Sequence, residues 1–186
     1  MLMATKTRRW TSADLALLPD DGNRYEIVDG ELFVTPAPSR RHQLVLVSFF
    51  RRVDAFVASH GIGRTFVAPG DVQNDTVNRV QPDIFVEPRS AAGAPSNWLD
   101  APKPILVIEI LSDSTAHRDL GFKRQFYARA GIPEYWIVDC DDRSVRVVRR
   151  GQNDVVVRDR IAWVPAGAAD ILEIGLIHLF SEALDA

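Results

Sequence analysis

Three charged residues fall where charges are expensive. Glu109 interrupts the apolar run Ile105–Leu111. A short run rich in Ile and Val reads as a strand buried on both faces. A carboxylate there is costly unless it is paired, protonated or bound to a metal. Lys123 lies in the segment that follows. A helix is expected from about His117 to Ala130, stopping at Gly131 with Pro133 just beyond. On a wheel of roughly 100° per residue, Leu120, Phe122, Phe126, Tyr127 and Ala130 share one side, and Lys123 falls near its middle. A lone inward Glu and a lone inward Lys are expected neighbours, either as a buried ion pair that fixes packing or as part of a site. The third residue is Asp83, which follows Pro82 directly and heads the run Ile84-Phe85-Val86.

Two carboxylates about 5 Å apart repel by roughly 3 kcal/mol at an effective dielectric near 20. A divalent cation between them reverses that sign. Mg²⁺ typically takes one or two protein carboxylates and keeps waters and phosphate oxygens. It can polarise a phosphodiester and lower the pKa of a bound water, while a nearby ammonium orients that water or stabilises developing charge. Asp, Glu and Lys are thus a sufficient set for metal-assisted phosphodiester hydrolysis. Other chemistries fare worse. Gly61-Ile62-Gly63 lacks the rest of a nucleotide fingerprint, and there is no GxSxG elbow. His42, His60, His117 and His178 show no zinc-ligand spacing, and one cysteine cannot complete a zinc site. Paired carboxylates also suit glycoside hydrolysis, but that leaves the inward lysine unexplained.

The elements that must position these residues can be read in outline. Residues 1–23 form a peripheral lead-in, with Thr11 capping a short helix through Leu18. Tyr25–Val34 is a hairpin turning at Asp29-Gly30. Its register pairs Val28 with Glu31 and Glu26 with Phe33. Tyr25, Ile27, Leu32 and Val34 then share one face, expected to be the core, and Glu26 and Glu31 share the other. Ser39 can cap a helix over about Arg40–His60, with an inward stripe of Leu46, Phe49, Phe50, Val53 and Val57. His42 sits one turn before Leu46 on that inward side. Strands are expected over Gly61–Pro69, Val80–Glu87, Tyr135–Asp139, Ser144–Arg150, Val155–Val157 and Ile171–Leu179. Gly70–Arg79 and Arg89–Lys103 are expected loops.

The chain of 186 residues suffices for one domain with a sizeable core, expected to be of the α/β (α+β mixed sheet) class. Hydrophobic residues make up 46% and charged residues 25%, ordinary values for a soluble globular protein. No apolar run approaches the ~20 residues of a membrane span, and MLMATKTRRW lacks the apolar core of a signal peptide. A single cysteine, Cys140, excludes an internal disulfide and fits a cytoplasmic location, with Cys140 itself read as buried filler. The net charge of −3 gives no global attraction to nucleic acid, so any such binding needs a local basic patch.

The order Pro82-Asp83, strand Glu109, helix Lys123 resembles the PD-(D/E)xK nuclease superfamily. More closely, the chain resembles the Uma-type family, whose members are described as putative restriction endonucleases. The resemblance is carried by YEIVDGEL at 25–32, APSRRH at 37–42, QPDIFVE at 81–87, PILVIEILSDST at 104–115, RDLGFKRQFYARAGIPEYWIVD at 118–139 and GLIHLF at 175–180. It implies a restriction endonuclease-like core with an N-terminal β-hairpin, and Mg²⁺-dependent cleavage of DNA, with Mn²⁺ as a substitute. By position it makes Asp83 and Glu109 metal ligands, adds the backbone carbonyl of Ile110, and makes Lys123 the catalytic lysine. Glu31 extends the acidic cluster under this reading, with Glu26 and His42 as weaker candidates. One departure stands out: the superfamily lysine usually sits two positions after the strand Glu, and here that residue is Leu111. A homodimer is expected, since cutting both strands of a duplex suits two symmetric sites. The rival readings are a nucleic-acid-binding protein without catalysis on the same fold, and an assembly protein whose charges only hold the core.

Overall fold

The computed structural model describes residues 9–35, 37–90, 93, 95–112, 119–166 and 168–185. A short helix, α1 (Ser12–Leu15), precedes the hairpin of β1 (Arg24–Val28) and β2 (Glu31–Thr35). The Asp14 carboxylate accepts from both the Thr11 amide and hydroxyl, the start expected from sequence, but the helix ends at Leu15 rather than Leu18. The hairpin turns on Asp29 and Gly30, both with positive φ (51° and 80°), as a two-residue type I′ turn requires. Its register is the expected one, Val28 with Glu31 and Glu26 with Phe33.

A 20-residue helix, α2 (Arg40–Ser59), follows Ser39, whose hydroxyl accepts the His42 N–H at 3.2 Å. Then come β3 (Gly63–Val67), β4 (Val72–Asp75), β5 (Asn78–Val80), β6 (Ile84–Pro88) and β7 (Leu106–Ile110). A π-helical turn (Asp119–Lys123) leads into α3 (Arg124–Ala130), which ends at Gly131 in the left-handed conformation (φ 80°). The chain closes with β8 (Glu134–Asp139), β9 (Ser144–Arg149), β10 (Val155–Val157), β11 (Arg160–Trp163), β12 (Leu172–Gly175) and α4 (Leu176–Leu184).

Among the described residues the strands form three sheets. A six-stranded sheet runs β10-β9-β8-β7-β6-β3, antiparallel except for the parallel pair β7–β8. A four-stranded sheet runs β2-β1-β5-β4, and β11 pairs with β12. Alternation sorts the large sheet's side chains onto two layers. Ile84, Val86, Leu106, Ile108, Ile110, Trp136 and Val138 pack with α2, α4, β11 and β12. Phe85, Val107, Tyr135 and Ile137 face α3 and the apolar residues Val28, Val72 and Val80 of the small sheet. By the same alternation, Glu109 points into this second layer.

The structure changes four expected elements. The run Val80–Glu87 is not one strand: it breaks at Gln81-Pro82-Asp83, with β5 in the small sheet and β6 in the large one. Proline cannot donate to a ladder, so the break falls where pairing switches partners. The loop Gly70–Arg79 contains β4 and most of β5. Ile171–Leu179 starts as a strand and becomes a helix at Leu176, because Leu172 and Ile174 are spaced for a strand whereas Leu176, Leu179, Phe180 and Ala183 are spaced for a helix. The helix expected from His117 is described only from Asp119 and opens with a π turn, which leaves Leu120 and Phe122 largely exposed rather than inward. Both faces of β1 are covered, so Glu26 and Val28 are as buried as Ile27, while Val34 is exposed. Cys140 packs in the core, and burial pushes its thiol up to about 11, in keeping with filler.

Candidate functional site

The β6–β7 register pairs Ile84 with Ile108 and Phe85 with Val107. Asp83 lies just before β6, beside the end of β7 that carries Glu109 and Ile110. Asp83 Oδ2 accepts the Ile110 N–H at 2.9 Å, which ties the Pro82-Asp83 turn to the end of β7. His42 Nε2 lies 3.0 Å from the same oxygen. His42 reaches it because the Ser39 cap fixes the first turn of α2 and the stripe His42, Leu46, Phe49, Val53 and Val57 faces the sheet. Asp83 Oδ1 takes Arg24 Nη1 at 2.8 Å, from the first residue of β1.

Glu109 belongs to a second, adjoining group. Its Oε1 accepts from Lys123 Nζ at 2.9 Å and from the Tyr127 hydroxyl at 2.7 Å. Lys123 Nζ is also 3.0 Å from Glu26 Oε1, which accepts the Gln81 N–H at 2.8 Å. Lys123 thus bridges a carboxylate of the large sheet and one of the small sheet. Glu26, Asp83, Glu109 and Lys123 are each at most 2% exposed. The π turn brings Lys123 to this position while α3 supplies Tyr127 one helical turn later.

The electrostatics follow from this packing. Burial alone would push the Asp83 carboxyl up; the His42 hydrogen bond and charge, Arg24 and the Ile110 N–H outweigh it and hold the group at about 2. Asp83 is therefore an anion at neutral pH. Burial works against the Arg24 charge, but Asp83, Glu109 and Glu26 more than offset it and hold its pKa above the usual arginine value. Burial and the Glu109 charge raise the Tyr127 hydroxyl well above the usual tyrosine range, so it stays a proton donor to Glu109.

Among the described residues no group of three or more His, Cys, Asp or Glu side chains is arranged to hold a metal ion. The donor types nevertheless suit a hard cation that takes only one or two protein carboxylates. Asp83 is ionised, and Asp83 and Glu109 both offer oxygen ligands. As arranged, Arg24 already faces Asp83 Oδ1, and Lys123 already faces Glu109 Oε1.

A family model described as "Putative restriction endonuclease" and named Uma2 matches residues 12–168. The chain belongs to the Uma2 family. The match contains every charged group of the cluster. A crystal structure of a putative nuclease belonging to DUF820, from Anabaena variabilis, shares the fold with a TM-score of 0.77. That protein is 24% identical, and the alignment covers 94% of this chain and 99% of the other. No curated protein matches the chain. No helix among the described residues is long and apolar enough to cross a membrane.

In this Uma2 chain, Asp83, Glu109, Lys123, Glu26 and His42 are brought together, and Ile110 joins them through its amide on Asp83. Glu31 is not brought in. It sits at the turn end of β2, where cover by the neighbouring layers has run out, and it is exposed. Sequence reasoning missed Arg24 and the role of Tyr127. Alternation along β1 held the signal for Arg24, since residues 24 and 26 share a face. Tyr127 was placed on the inward side of its helix, but only as packing; a tyrosine beside a buried carboxylate ordinarily donates to it. Of the basic residues at the ends and outer side of α2, Arg41 and Arg52 are engaged in pairs with Asp141 and Glu182.

Proposed function

We propose that the chain is a metal-dependent endonuclease that hydrolyses DNA phosphodiester bonds on a restriction endonuclease-like core. The observation that carries this reading is the convergence of Asp83 and Glu109 at the ends of adjacent strands, with Lys123 2.9 Å from Glu109. The family description and the description of the structural relative as a putative nuclease support it. Asp83 and Glu109, with the Ile110 carbonyl, would hold Mg²⁺ or Mn²⁺. Such an ion supplies charge that polarises a phosphodiester and lowers the pKa of a bound water.

The chain's own groups do the rest. Tyr127 and Lys123 fix the Glu109 rotamer by donating to one of its oxygens. The Lys123 ammonium is held in a water-poor site by two carboxylates, so it can orient an attacking water or stabilise the negative charge that develops on phosphorus oxygens. His42 and the Ile110 amide fix Asp83 from two sides. A homodimer would present two such sites to the two strands of a duplex, and light scattering that returns a monomer mass would remove that part of the reading.

The test is cleavage of supercoiled, linear and single-stranded DNA in Mg²⁺, Mn²⁺ or EDTA, by wild type and Glu109→Gln. Cleavage by wild type that needs the ion and is lost in Glu109→Gln supports the reading; full cleavage by the variant refutes the site.

A second reading rests on one specific observation: every carboxylate of the cluster already has a cationic partner within it, Glu26 and Glu109 sharing Lys123 and Asp83 taking Arg24. A DNA-binding or assembly protein on the same fold would use this network only to join its two sheets. Under that reading Asp83→Asn lowers stability and changes no activity.

A further inference from the structure

Arg24 differs from the other charged members of the cluster in three ways. Its side chain is 18% exposed, against 3% for Asp83, to which it is bound. It engages Asp83 through one nitrogen: Nη1 meets Asp83 Oδ1 at 2.8 Å and lies 3.5 Å from the Gln81 carbonyl oxygen, while Nε is buried with no partner among the described residues. A guanidinium bound firmly to a carboxylate usually engages it with two parallel N–H groups. It also lines the cavity that reaches Asp83, which Glu26, Glu109 and Lys123 do not. That cavity, of about 610 Å³, is lined by Arg24 and Asp83 together with Tyr25, Gln43, Pro69 and Gln81. A solute in this cavity can meet both Arg24 and Asp83.

We propose that Arg24 is a built-in stand-in for the metal: its guanidinium neutralises Asp83 in the metal-free protein and must leave before a divalent cation binds, so Arg24 sets the cation affinity of the site. The inference rests on the reading of Asp83 as a metal ligand. Three anions, Asp83, Glu109 and Glu26, bear on Arg24, and a site built to attract one cation cannot hold a guanidinium and a divalent ion on the same carboxylate without strong repulsion. The neighbouring cavity gives the Arg24 side chain room to move. Arg24 is the first residue of β1, directly after the turn at Asp21-Gly22-Asn23, and its long stem borders the cavity into which it would swing. Lys123 has no such exit, being 2% exposed between Glu26 and Glu109. The two cations therefore divide the work: Lys123 stays and Arg24 yields.

The experiment is a MgCl₂ titration by calorimetry, without nucleic acid, on wild type, Arg24→Met and Asp83→Asn, with thermal unfolding in EDTA and in Mg²⁺ as a second readout. Arg24→Met is expected to bind Mg²⁺ at least about tenfold more tightly than wild type. It is expected to unfold at lower temperature in EDTA and to gain more from Mg²⁺ than wild type does, because the ion replaces the lost charge. Asp83→Asn is expected to bind in neither readout. If Arg24→Met does not fold, Arg24→Gln keeps a hydrogen bond to Asp83 and carries the same expectation. An affinity equal to or weaker than wild type overturns the role of Arg24 while leaving the metal site standing. Absence of Mg²⁺ binding in both wild type and the Arg24 variants overturns the metal-site reading and this inference with it.

Discussion

Lys123 donates to Glu109 at 2.9 Å from a helical turn onto a central strand, with both side chains 2% exposed. The same ammonium is 3.0 Å from Glu26 on the neighbouring sheet. One cation therefore joins two layers of the fold and sits at the centre of the candidate site. Breaking such a buried pair by removing one partner typically costs about 3–5 kcal/mol, because a charge is left uncompensated. Lys123→Met should lose stability of this order in urea unfolding at neutral pH. Adding Glu109→Gln should recover a good part of it, since that substitution removes one of the stranded charges. A single variant as stable as wild type would mean that the pair contributes nothing.

Acid should attack the fold through Asp83. Its folded pKa, about 2, lies below the ordinary 3.8. Such a group contributes stability that is fully present above the unfolded value and is lost as pH falls through the folded one. The loss should therefore occur between about pH 4 and pH 2, and Asp83→Asn should remove that part of the decline. Urea midpoints measured across this window check the claim; an unaltered acid limb in the variant would contradict it.

Tyr127→Phe deletes one oxygen and little volume. The hydroxyl donates to a buried carboxylate at 2.7 Å, and hydrogen bonds to charged groups contribute about 1.5–3 kcal/mol. A stability loss of that size is expected by urea unfolding. Under the nuclease reading, cleavage should also slow, because Glu109 loses a donor that helps to fix it.

Two glycines should respond in opposite directions. A Cβ at Gly63 would lie 1.8 Å from the Glu87 carbonyl oxygen, across the β3–β6 ladder. Backbone cannot give way cheaply there, so Gly63→Ala should destabilise by about 1–3 kcal/mol or more. At Gly121, in the π turn, nothing lies within 4 Å of the added carbon. Gly121→Ala should be neutral or stabilising by about 0.4–1 kcal/mol, through the unfolded chain. Thermal unfolding of the two variants side by side checks both.

Much of the site was legible before the structure because its residues are chemically out of place. A carboxylate inside Ile105–Leu111 and a lysine amid apolar helix positions are costly alone, and each announces a partner. The α-helical wheel found Lys123 inward yet misplaced Leu120 and Phe122, since a π turn carries a different angular step from the wheel. Arg24 escaped although it shares a face with Glu26, because an arginine at the start of a strand ordinarily reads as solvated. Glu31 was drawn in by the family resemblance, but a face shared along a hairpin is buried only as far as a neighbouring layer covers it, and at the turn end of β2 Glu31 is exposed. The switch of partners at Gln81-Pro82-Asp83 could not be read at all. Local composition is β-rich on both sides, and which sheet each half joins is decided by distant strands.

One contact gives the molecule a reporter of its own. The Ile110 amide donates to a side chain, Asp83 Oδ2, where a strand amide usually finds a backbone carbonyl. Its proton resonance and its exchange with deuterated solvent therefore follow the position and ionisation of a single carboxylate. Protonating Asp83, or drawing it toward another cation, loosens that amide while its neighbours on β7 stay protected. Spectroscopy on one backbone amide can thus follow the state of the site with no probe group attached to the protein and no substrate in hand.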